Sequence, residues 1–351
     1  MSSSLSVGTV TAEPATIHEV PTPALAIDEG ALAANLAAMS AALPGRRLRP
    51  HVKATKCTAL ARRQHALGHV GFTCATPREV VGLAAAGLGD DLLLANETLD
   101  GARLAAMAAV QDRARITVAV DSPETVEAAA RAGIREAVVD VDVGMPRCGV
   151  PADGAGALAD LARRAGLSVR GVMGYEGHLM MVADRAERAE KVAAAMDVLA
   201  RAAADVGGDV VSAGGTGTFD LHAGAATTEV QAGTYSLMDS HYATIGLPFA
   251  QAAWVLGTVI SHGRGWAVVD AGLKSLGMDH GNPRLDGCTV WYCADEHVVF
   301  SVDGGGALPP IGSRVRVVPA HLDPTVAMHA HAWVLRGDDV VDRWEIDLRG
   351  W

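Results

Sequence analysis

The chain has 351 residues, half of them hydrophobic, and carries 29 Lys and Arg against 40 Asp and Glu, a formal net charge of −11. This length and apolar content predict one large barrel or two domains, and the acidic balance with scattered basic residues argues against a nucleic-acid partner. No stretch reaches the ~18 uninterrupted apolar residues of a membrane span, and the first residues lack the pattern of a secretory signal. Five cysteines without a C-x-x-C pair favour a reduced, cytoplasmic protein.

Short β-branched or leucine-rich segments alternate with alanine-rich helical segments between about residues 48 and 235, as in repeated βα units around a parallel sheet. The candidate strands are LRPHV, VGFTC, DLLLAN, RITVAV, EAVVDVDV, LSVRGVMGY, DVVSAG and TEVQAG. Eight strands with intervening helices predict an α/β fold, a closed (β/α)8 TIM barrel over residues 20–250. An open doubly wound sheet is the competing architecture, but no G-x-G-x-x-G follows the first strand.

The texture of the sequence changes after about residue 250. The remaining segments are strand-like, separated by Gly and Asp-Gly turns, and no helix is predicted among them. We therefore expect a C-terminal all-β domain over residues 251–351, joined by residues 1–28, which include the strand-like TPALAID.

Polar residues stand at the carboxyl ends of several predicted strands, where TIM barrels build their active sites. Lys53 ends the first strand, Asn96 the third, Arg147 follows the fifth, and Tyr175 and His178 follow the sixth in GYEGH. Each has an ordinary alternative, such as a surface salt bridge for Arg147 or a purely structural hydrogen bond for His178.

Two Gly/Thr-rich turns follow the seventh and eighth strands, as SAGGTGT and QAGTY. Glycine lets backbone N–H groups approach a phosphate closely, and this end of a barrel is a common phosphate site. One such turn alone is most often only a turn. Two of them, with Lys53 at the mouth of the first strand, suggest pyridoxal phosphate held as an imine. Burial at that mouth should lower the pKa of Lys53, whereas Lys56 is interpreted as a surface lysine that starts the next helix.

These motifs together resemble the D-threonine aldolase and D-serine dehydratase family, related to the alanine racemases, which are pyridoxal phosphate enzymes of fold type III. They are TPALAIDEGALAANLAAM, RPHVKATK, VDVGMPRCGV, GVMGYEGH, SAGGTGT, TEVQAGTY and PAHLDPTVAMH. The resemblance implies an imine at Lys53, Arg147 near the cofactor's phenolic oxygen and Tyr175 at its pyridine nitrogen. The phosphate-binding residues that it implies are Gly215, Thr216, Gly233, Thr234 and Tyr235. Thr55 departs from the family pattern, which more often has histidine there.

His321 and Asp323 in PAHLDPT are expected on one side of an extended strand, where both could hold one cation. An ordinary turn is the alternative. In the resembled family, dehydratase-like members have histidine and cysteine at these positions with zinc, while the aldolases have histidine and aspartate. The carboxylate therefore favours an aldolase with a harder ion, Mn²⁺ first, with Mg²⁺ or Ca²⁺ as alternatives.

The resulting hypothesis is a lyase that cleaves D-β-hydroxy-α-amino acids, D-threonine giving glycine and acetaldehyde, with little selectivity at the β-substituent. Lys53, Arg147 and His178 are the predicted catalytic residues, His178 as the base. A D-serine or D-3-hydroxyaspartate dehydratase, an amino-acid racemase and a non-enzymatic pyridoxal phosphate carrier remain alternatives. The resemblance also implies a homodimer.

Overall fold

The computed structural model describes residues 13–222 and 226–351. A strand, β1 (Ala24–Asp28), and a helix, α1 (Glu29–Ala42), come before the barrel. Seven parallel strands then form a sheet in chain order. They are β2 (Gly71–Cys74), β3 (Asp91–Leu94), β4 (Ile116–Val120), β5 (Glu136–Asp140), β6 (Ser168–Met173), β7 (Val210–Ala213) and β8 (Glu229–Val230).

Residues 48–51 close this sheet into a barrel. Leu48 forms a parallel bridge with Val230 of β8, and His51 forms one with Thr73 of β2. Pro50 has no backbone N–H to donate, so the segment makes bridges rather than a regular strand. The prediction of an eight-membered α/β barrel is confirmed, and its first member is irregular.

Helices separate the barrel strands as the alternation predicted. They are α2 (Thr58–Ala66), α3 (Pro77–Ala85), α4 (Gly101–Ala108), α5 (Pro123–Arg131), α6 (Ala155–Arg164) and α7 (Arg185–Val206). The sequence fixes two of these starts locally. Thr76 and Ser122 each accept a hydrogen bond from the third helical N–H, with proline at the first helical position.

A second sheet carries the remaining strands. They are β9 (Ala253–His262), β10 (Ala267–Val269), β11 (Cys288–Cys293), β12 (Val298–Val302), β13 (Arg314–Val317), β14 (His331–Arg336) and β15 (Asp339–Glu345). Their order is β11-β12-β10-β9-β1-β14-β15, and β13 also pairs with β9. The N-terminal strand β1 therefore lies inside this sheet, antiparallel to β9 and parallel to β14. Of residues 1–28, residues 1–12 lie outside the described residues.

One helix interrupts the predicted all-strand region. Helix α8 (Leu322–Met328) contains Asp323, and His321 immediately precedes it. The expectation of an extended strand here is wrong. Pro324 lies in the first turn, where a missing N–H costs no helical hydrogen bond, so PAHLDPT begins a helix.

A shared apolar cluster joins the barrel to the second sheet. It includes Leu36 of α1, Phe219 and Tyr235 after the last barrel strands, Leu322 of α8 and Val334 of β14, all buried. Packing at this density makes the position of one layer depend on the other. The two sheets therefore fix each other's orientation at the carboxyl end of the barrel.

The opposite end of the barrel is filled by a buried charged network. Asp91 accepts hydrogen bonds from Arg170 at 2.6 Å and from Arg49 at 2.8 Å, and Arg49 also donates to Glu229 at 2.7 Å. Burial alone would raise the pKa of Asp91, but the two guanidinium groups outweigh it and hold the pKa well below its ordinary value. This network occupies the amino end of the barrel, beside a cavity of about 120 Å³ that is smaller than the one at the carboxyl end.

Replacing Asp91 with alanine should destabilise the fold strongly, because it strands two buried guanidinium groups. We expect a loss of about 3–5 kcal/mol in the free energy of unfolding, measured by denaturant titration. Asp90→Ala is the matched control, since the Asp90 side chain is 59% exposed and should change stability by less than about 0.5 kcal/mol. Equal losses in the two variants would contradict a stabilising role for the network.

Candidate active site

A cavity of about 380 Å³ opens at the carboxyl end of the barrel. It is lined by side chains and backbone from the ends of strands all around the barrel. The sequence-predicted residues that it brings together are Lys53, Arg147, Tyr175, Gly215, Thr216, Gly233 and Thr234. Asn96, also singled out in the sequence, lies in the same wall.

Lys53 lies in a short 3-10 turn, Val52–Ala54, directly after the segment that closes the barrel. Its ammonium group forms an ion pair with the carboxylate of Asp323 in helix α8. Burial alone would lower the pKa of Lys53, but Asp323 and the neighbouring Tyr175 outweigh it, and the pKa is raised above its ordinary value. The predicted lowering was wrong because the sequence did not reveal that Asp323 would lie beside the amine.

The other oxygen of Asp323 accepts a hydrogen bond from the Thr234 hydroxyl at 3.3 Å. Burial alone would raise the pKa of Asp323, yet the Lys53 charge outweighs it and lowers the pKa, so the carboxylate is ionised. Asp239 fixes this end of α8, since its carboxylate accepts the N–H groups of Leu322 at 3.1 Å and of Tyr242 at 2.8 Å. The structure thus holds Asp323 in place by backbone as well as by charge.

A second cavity of about 230 Å³ adjoins the first, and Lys53, Tyr175, Thr234 and Tyr242 line both. Its other lining residues include three imidazoles, His241, His280 and His321, together with Asp323, Met180 and Met181. The predicted cation-binding pair therefore faces the space next to the Lys53 amine. An imidazole nitrogen and a carboxylate are a fitting donor set for Mn²⁺ or a similar ion.

The glycine- and threonine-rich turns form a cradle at the far side of the larger cavity. Gly214 has φ +79°, and a side chain there would meet His222 at 2.7 Å; one at Gly233 would meet the His51 carbonyl oxygen at 2.5 Å. The buried N–H groups of Thr216 and Gly233 donate no hydrogen bond within the described part of the chain. Buried amides without an acceptor are what a bound phosphate would satisfy.

A buried pair beneath the cradle holds the first of these turns. Glu176 accepts hydrogen bonds from the Thr218 hydroxyl at 2.7 Å and the Gly214 N–H at 3.2 Å, and it contacts His222 at 3.1 Å. Burial would raise the pKa of Glu176, but the His222 contact outweighs it and lowers the pKa. Glu176 and His222 therefore position the cradle rather than contact a ligand.

Arg147 and Tyr175 also line the larger cavity, with the Tyr175 ring next to Gly215 of the cradle. The guanidinium carbon of Arg147 lies 5.3 Å from the centre of the Tyr175 ring, within cation–π range. Burial raises the pKa of Tyr175, so this hydroxyl is neutral around pH 7.

Two predicted site residues do not reach either cavity. His178 lies in a 3-10 turn, Gly177–Leu179, and its exposed ring lies near Gly144 in the loop after β5. The side chain of Tyr235 is fully buried, with its hydroxyl accepting from Gln64 at 3.0 Å, and its N–H is already bonded to Thr216. Neither His178 as a base nor Tyr235 as a phosphate ligand is supported by this geometry.

Lys56 also departs from its interpretation. It precedes α2 instead of starting it, and its mostly buried side chain forms an ion pair with Glu79 of the α3 capping box. It is thus a structural lysine, not a surface one.

Several residues around this site could not be predicted from the sequence. His51, which lines the cavity, accepts the N–H of Lys53 through Nδ1 at 3.4 Å. Asp279 and His280 lie against His321, although they are more than forty residues away in the chain. The only signal was the Asp-His-Gly of GMDHG in a turn, which many surface loops share.

Comparisons with known proteins give the site a family. Residues 27–241 match the alanine racemase N-terminal domain, and residues 252–335 match a putative serine dehydratase domain. A D-threonine aldolase of an Arthrobacter species is 36% identical over 95% of this chain and 94% of its own. The chain belongs to the D-threonine aldolase family of alanine racemase-like proteins. The family resemblance seen in the sequence and the lyase class are thereby confirmed.

Two solved structures are similar over nearly the whole chain. The D-threonine aldolase of Filomicrobium marinum superposes with a TM-score of 0.90 at 34% identity, covering 96% of this chain and 97% of its own. The D-threo-3-hydroxyaspartate dehydratase of a Delftia species has a TM-score of 0.85 at 30% identity, covering 96% and 100%. Family membership supports a pyridoxal phosphate cofactor and a metal ion for this chain.

A cluster of acidic side chains lies behind Arg147. Burial, followed by the charge of Glu97 and a hydrogen bond to it, raises the pKa of Asp140 to about 8, while Arg147 acts in the opposite direction. One oxygen of Glu97 is buried without a partner among the described residues. Asp140 and Glu97 therefore form a carboxyl pair in which Asp140 keeps its proton near neutral pH.

This pair predicts a specific pH dependence of stability. The folded chain keeps a proton on the pair that the unfolded chain releases above about pH 4, so the free energy of unfolding should fall as pH rises from about 4 to about 8, by up to ~1.4 kcal/mol per pH unit. In Asp140→Asn this part of the slope should disappear. Denaturant unfolding across that pH range measures it, with Asp142→Asn, an exposed neighbour, as the control. An unchanged slope in Asp140→Asn would contradict a proton held on Asp140.

Proposed function

We propose that this chain is a pyridoxal phosphate- and divalent metal-dependent aldolase that cleaves D-β-hydroxy-α-amino acids, D-threonine among them. The cofactor would lie in the larger cavity, with its phosphate on the amides of Gly215, Thr216, Gly233 and Thr234 and a covalent bond to Lys53. When bound, it would supply an electron sink for the carbanion that C–C cleavage leaves on the amino acid.

The residues of this chain would divide the remaining work. Lys53 would supply the amine that holds the cofactor. Arg147 would keep the cofactor's phenolic oxygen negative. The neutral Tyr175 would contact the pyridine nitrogen and, lacking a charge, would leave the ring a moderate rather than a strong electron sink.

The observation that carries the metal proposal is the Lys53–Asp323 ion pair. Asp323 is ionised and its side chain is only 13% exposed, so losing its counter-charge would be costly. A cofactor held covalently at Lys53 would draw this nitrogen away from its ion pair with Asp323. A cation on Asp323 and the adjacent His321 would restore the balance, and it would lower the pKa of a hydroxyl bound to it. Mn²⁺ is our first choice, with Mg²⁺ or Ca²⁺ as alternatives.

The proposed proton acceptor is a histidine other than His178, because His178 does not line either cavity. His241 and His280 line the space beside Lys53 and Asp323. A ring nitrogen of one of them is better placed to take the proton of the β-hydroxyl.

Asp323 also favours cleavage over loss of water. Zinc, expected with a thiolate ligand, would suit the departure of a hydroxide, whereas a harder ion on a carboxylate suits an ionised β-hydroxyl that stays in place. The Delftia relative, a dehydratase by name, keeps β-elimination as the alternative reaction.

The experiment that tests the function supplies the purified protein with pyridoxal phosphate and Mn²⁺. It is incubated separately with D-threonine and L-threonine, and glycine, acetaldehyde and 2-oxobutyrate are assayed. We expect glycine and acetaldehyde in equal amounts from D-threonine only, abolished by EDTA and restored by Mn²⁺. Production of 2-oxobutyrate instead would favour the dehydratase, and no turnover with restored metal would contradict both.

Lys53→Ala should lose turnover and the covalently bound cofactor together, because Lys53 supplies the one lysine amine among the described residues that line the larger cavity. Borohydride reduction of the parent holoprotein followed by peptide mapping should place the pyridoxyl group on Lys53. Lys191→Ala, which removes an exposed amine from α7, is the control and should behave as the parent does. A label on any other lysine would contradict the assignment.

A homodimer and a cytoplasmic location remain part of the proposal. Trp291, Tyr292 and Ile311 are exposed near the second sheet, and apolar surface of this kind is often covered by a second subunit. No helix in residues 13–222 and 226–351 has the length and apolar character needed to cross a membrane.

A further inference from the structure

The carboxylate of Asp279 makes a close contact with His321. Its Oδ2 atom lies 2.7 Å from Nδ1 of the His321 ring. Asp279 belongs to the loop that follows β10, so this contact links that loop to the start of α8.

The contact fixes which ring nitrogen of His321 carries a proton. An ionised carboxylate can only accept a hydrogen bond, so Nδ1 must be the donor. In the neutral ring, Nε2 is then left with the free lone pair, the one that a metal ion requires.

His280 restrains the same ring from its face. The two rings are stacked with centroids 4.0 Å apart and planes 6° apart. The His280 ring also contacts His241 at 4.6 Å between centroids. His321 therefore cannot turn freely about its own axis without losing a stacked neighbour.

Backbone and hydroxyl contacts hold the loop to the helix start. Gly277 forms a bridge with His321, and its N–H donates to the Thr325 hydroxyl at 2.9 Å. That hydroxyl donates in turn to the His321 carbonyl at 2.7 Å. The loop that carries Asp279 is thus held against the start of α8, while the Asp279 side chain itself is 57% exposed.

We propose that Asp279 is a positioning residue for the metal site, which holds His321 in the Nδ1–H tautomer and presents Nε2 to the cation. The inference rests on the proposed function of His321 and Asp323 as metal ligands. Asp279 itself is not a ligand in this proposal, because its Oδ2 already accepts the Nδ1–H of His321. A hydrogen-bonded carboxylate behind a ligating imidazole raises its basicity and strengthens metal binding.

The first test measures Mn²⁺ affinity by calorimetry on the pyridoxal phosphate-loaded protein. Asp279→Ala should weaken binding about 10–100-fold, the usual cost of losing such a support. Asp286→Ala, which removes an exposed carboxylate a few residues along the chain, is the control and should leave affinity unchanged. Affinity within twofold of the parent in Asp279→Ala would overturn the proposal.

The second test needs no metal and no activity. Nitrogen-15 spectra of the histidine rings in the metal-free protein should show His321, identified by its loss in His321→Asn, with the proton on Nδ1. Asp279→Ala should shift it toward Nε2–H, and Asp279→Asn, which can still accept the hydrogen bond, should restore most of the parental tautomer. An unchanged tautomer in Asp279→Ala would overturn the proposal.

The outcomes separate this inference from the proposed function. A parent that cleaves D-threonine only with Mn²⁺, with Asp279→Ala binding Mn²⁺ equally well, leaves the function standing and removes the positioning role. A parent holoprotein that binds no Mn²⁺ at all overturns both.

Discussion

The ion pair between Lys53 and Asp323 is the contact on which the rest of the site depends. It joins the first segment of the barrel to the start of helix α8, and both Lys53 and Asp323 line the smaller cavity. It explains why the pKa of the Lys53 amine is raised, although burial alone would lower it. It would also couple binding of the proposed cofactor to binding of the proposed cation. A cofactor held at Lys53 would leave the buried carboxylate of Asp323 free to bind the cation.

The two ends of the barrel handle charge in opposite ways. At the amino end, Asp91, Arg49, Arg170 and Glu229 pair with one another in buried ion pairs. At the carboxyl end, Asp323 pairs with a lysine that a ligand could engage. The buried N–H groups of Thr216 and Gly233 have no acceptor within the described residues. A binding site needs such groups, whereas a structural core excludes them.

The sequence predicted most of the fold, because alternation of apolar strands and alanine-rich helices is a local signal. It also predicted the site residues that end strands or turns, such as Lys53, Arg147 and Gly233, since strand ends meet at one face of a barrel. Tertiary contacts decide the rest. The predicted base His178 lies in a 3-10 turn and does not line either cavity, and Asp279, 42 residues before His321 in the chain, meets it only in the fold. PAHLDPT resembles a strand in sequence, but Pro324 is also compatible with the first turn of a helix, and α8 begins there.

The most direct measurement of the central claim is Mn²⁺ affinity in the cofactor-free protein with and without the Lys53 charge. Lys53→Met keeps the length of the side chain and removes the ammonium that neutralises Asp323, and Lys274→Met, at an exposed position, is the control. The account predicts that Lys53→Met binds Mn²⁺ more tightly than the parent and the control, because the cation no longer competes with an ammonium. Equal or weaker binding by Lys53→Met would contradict it.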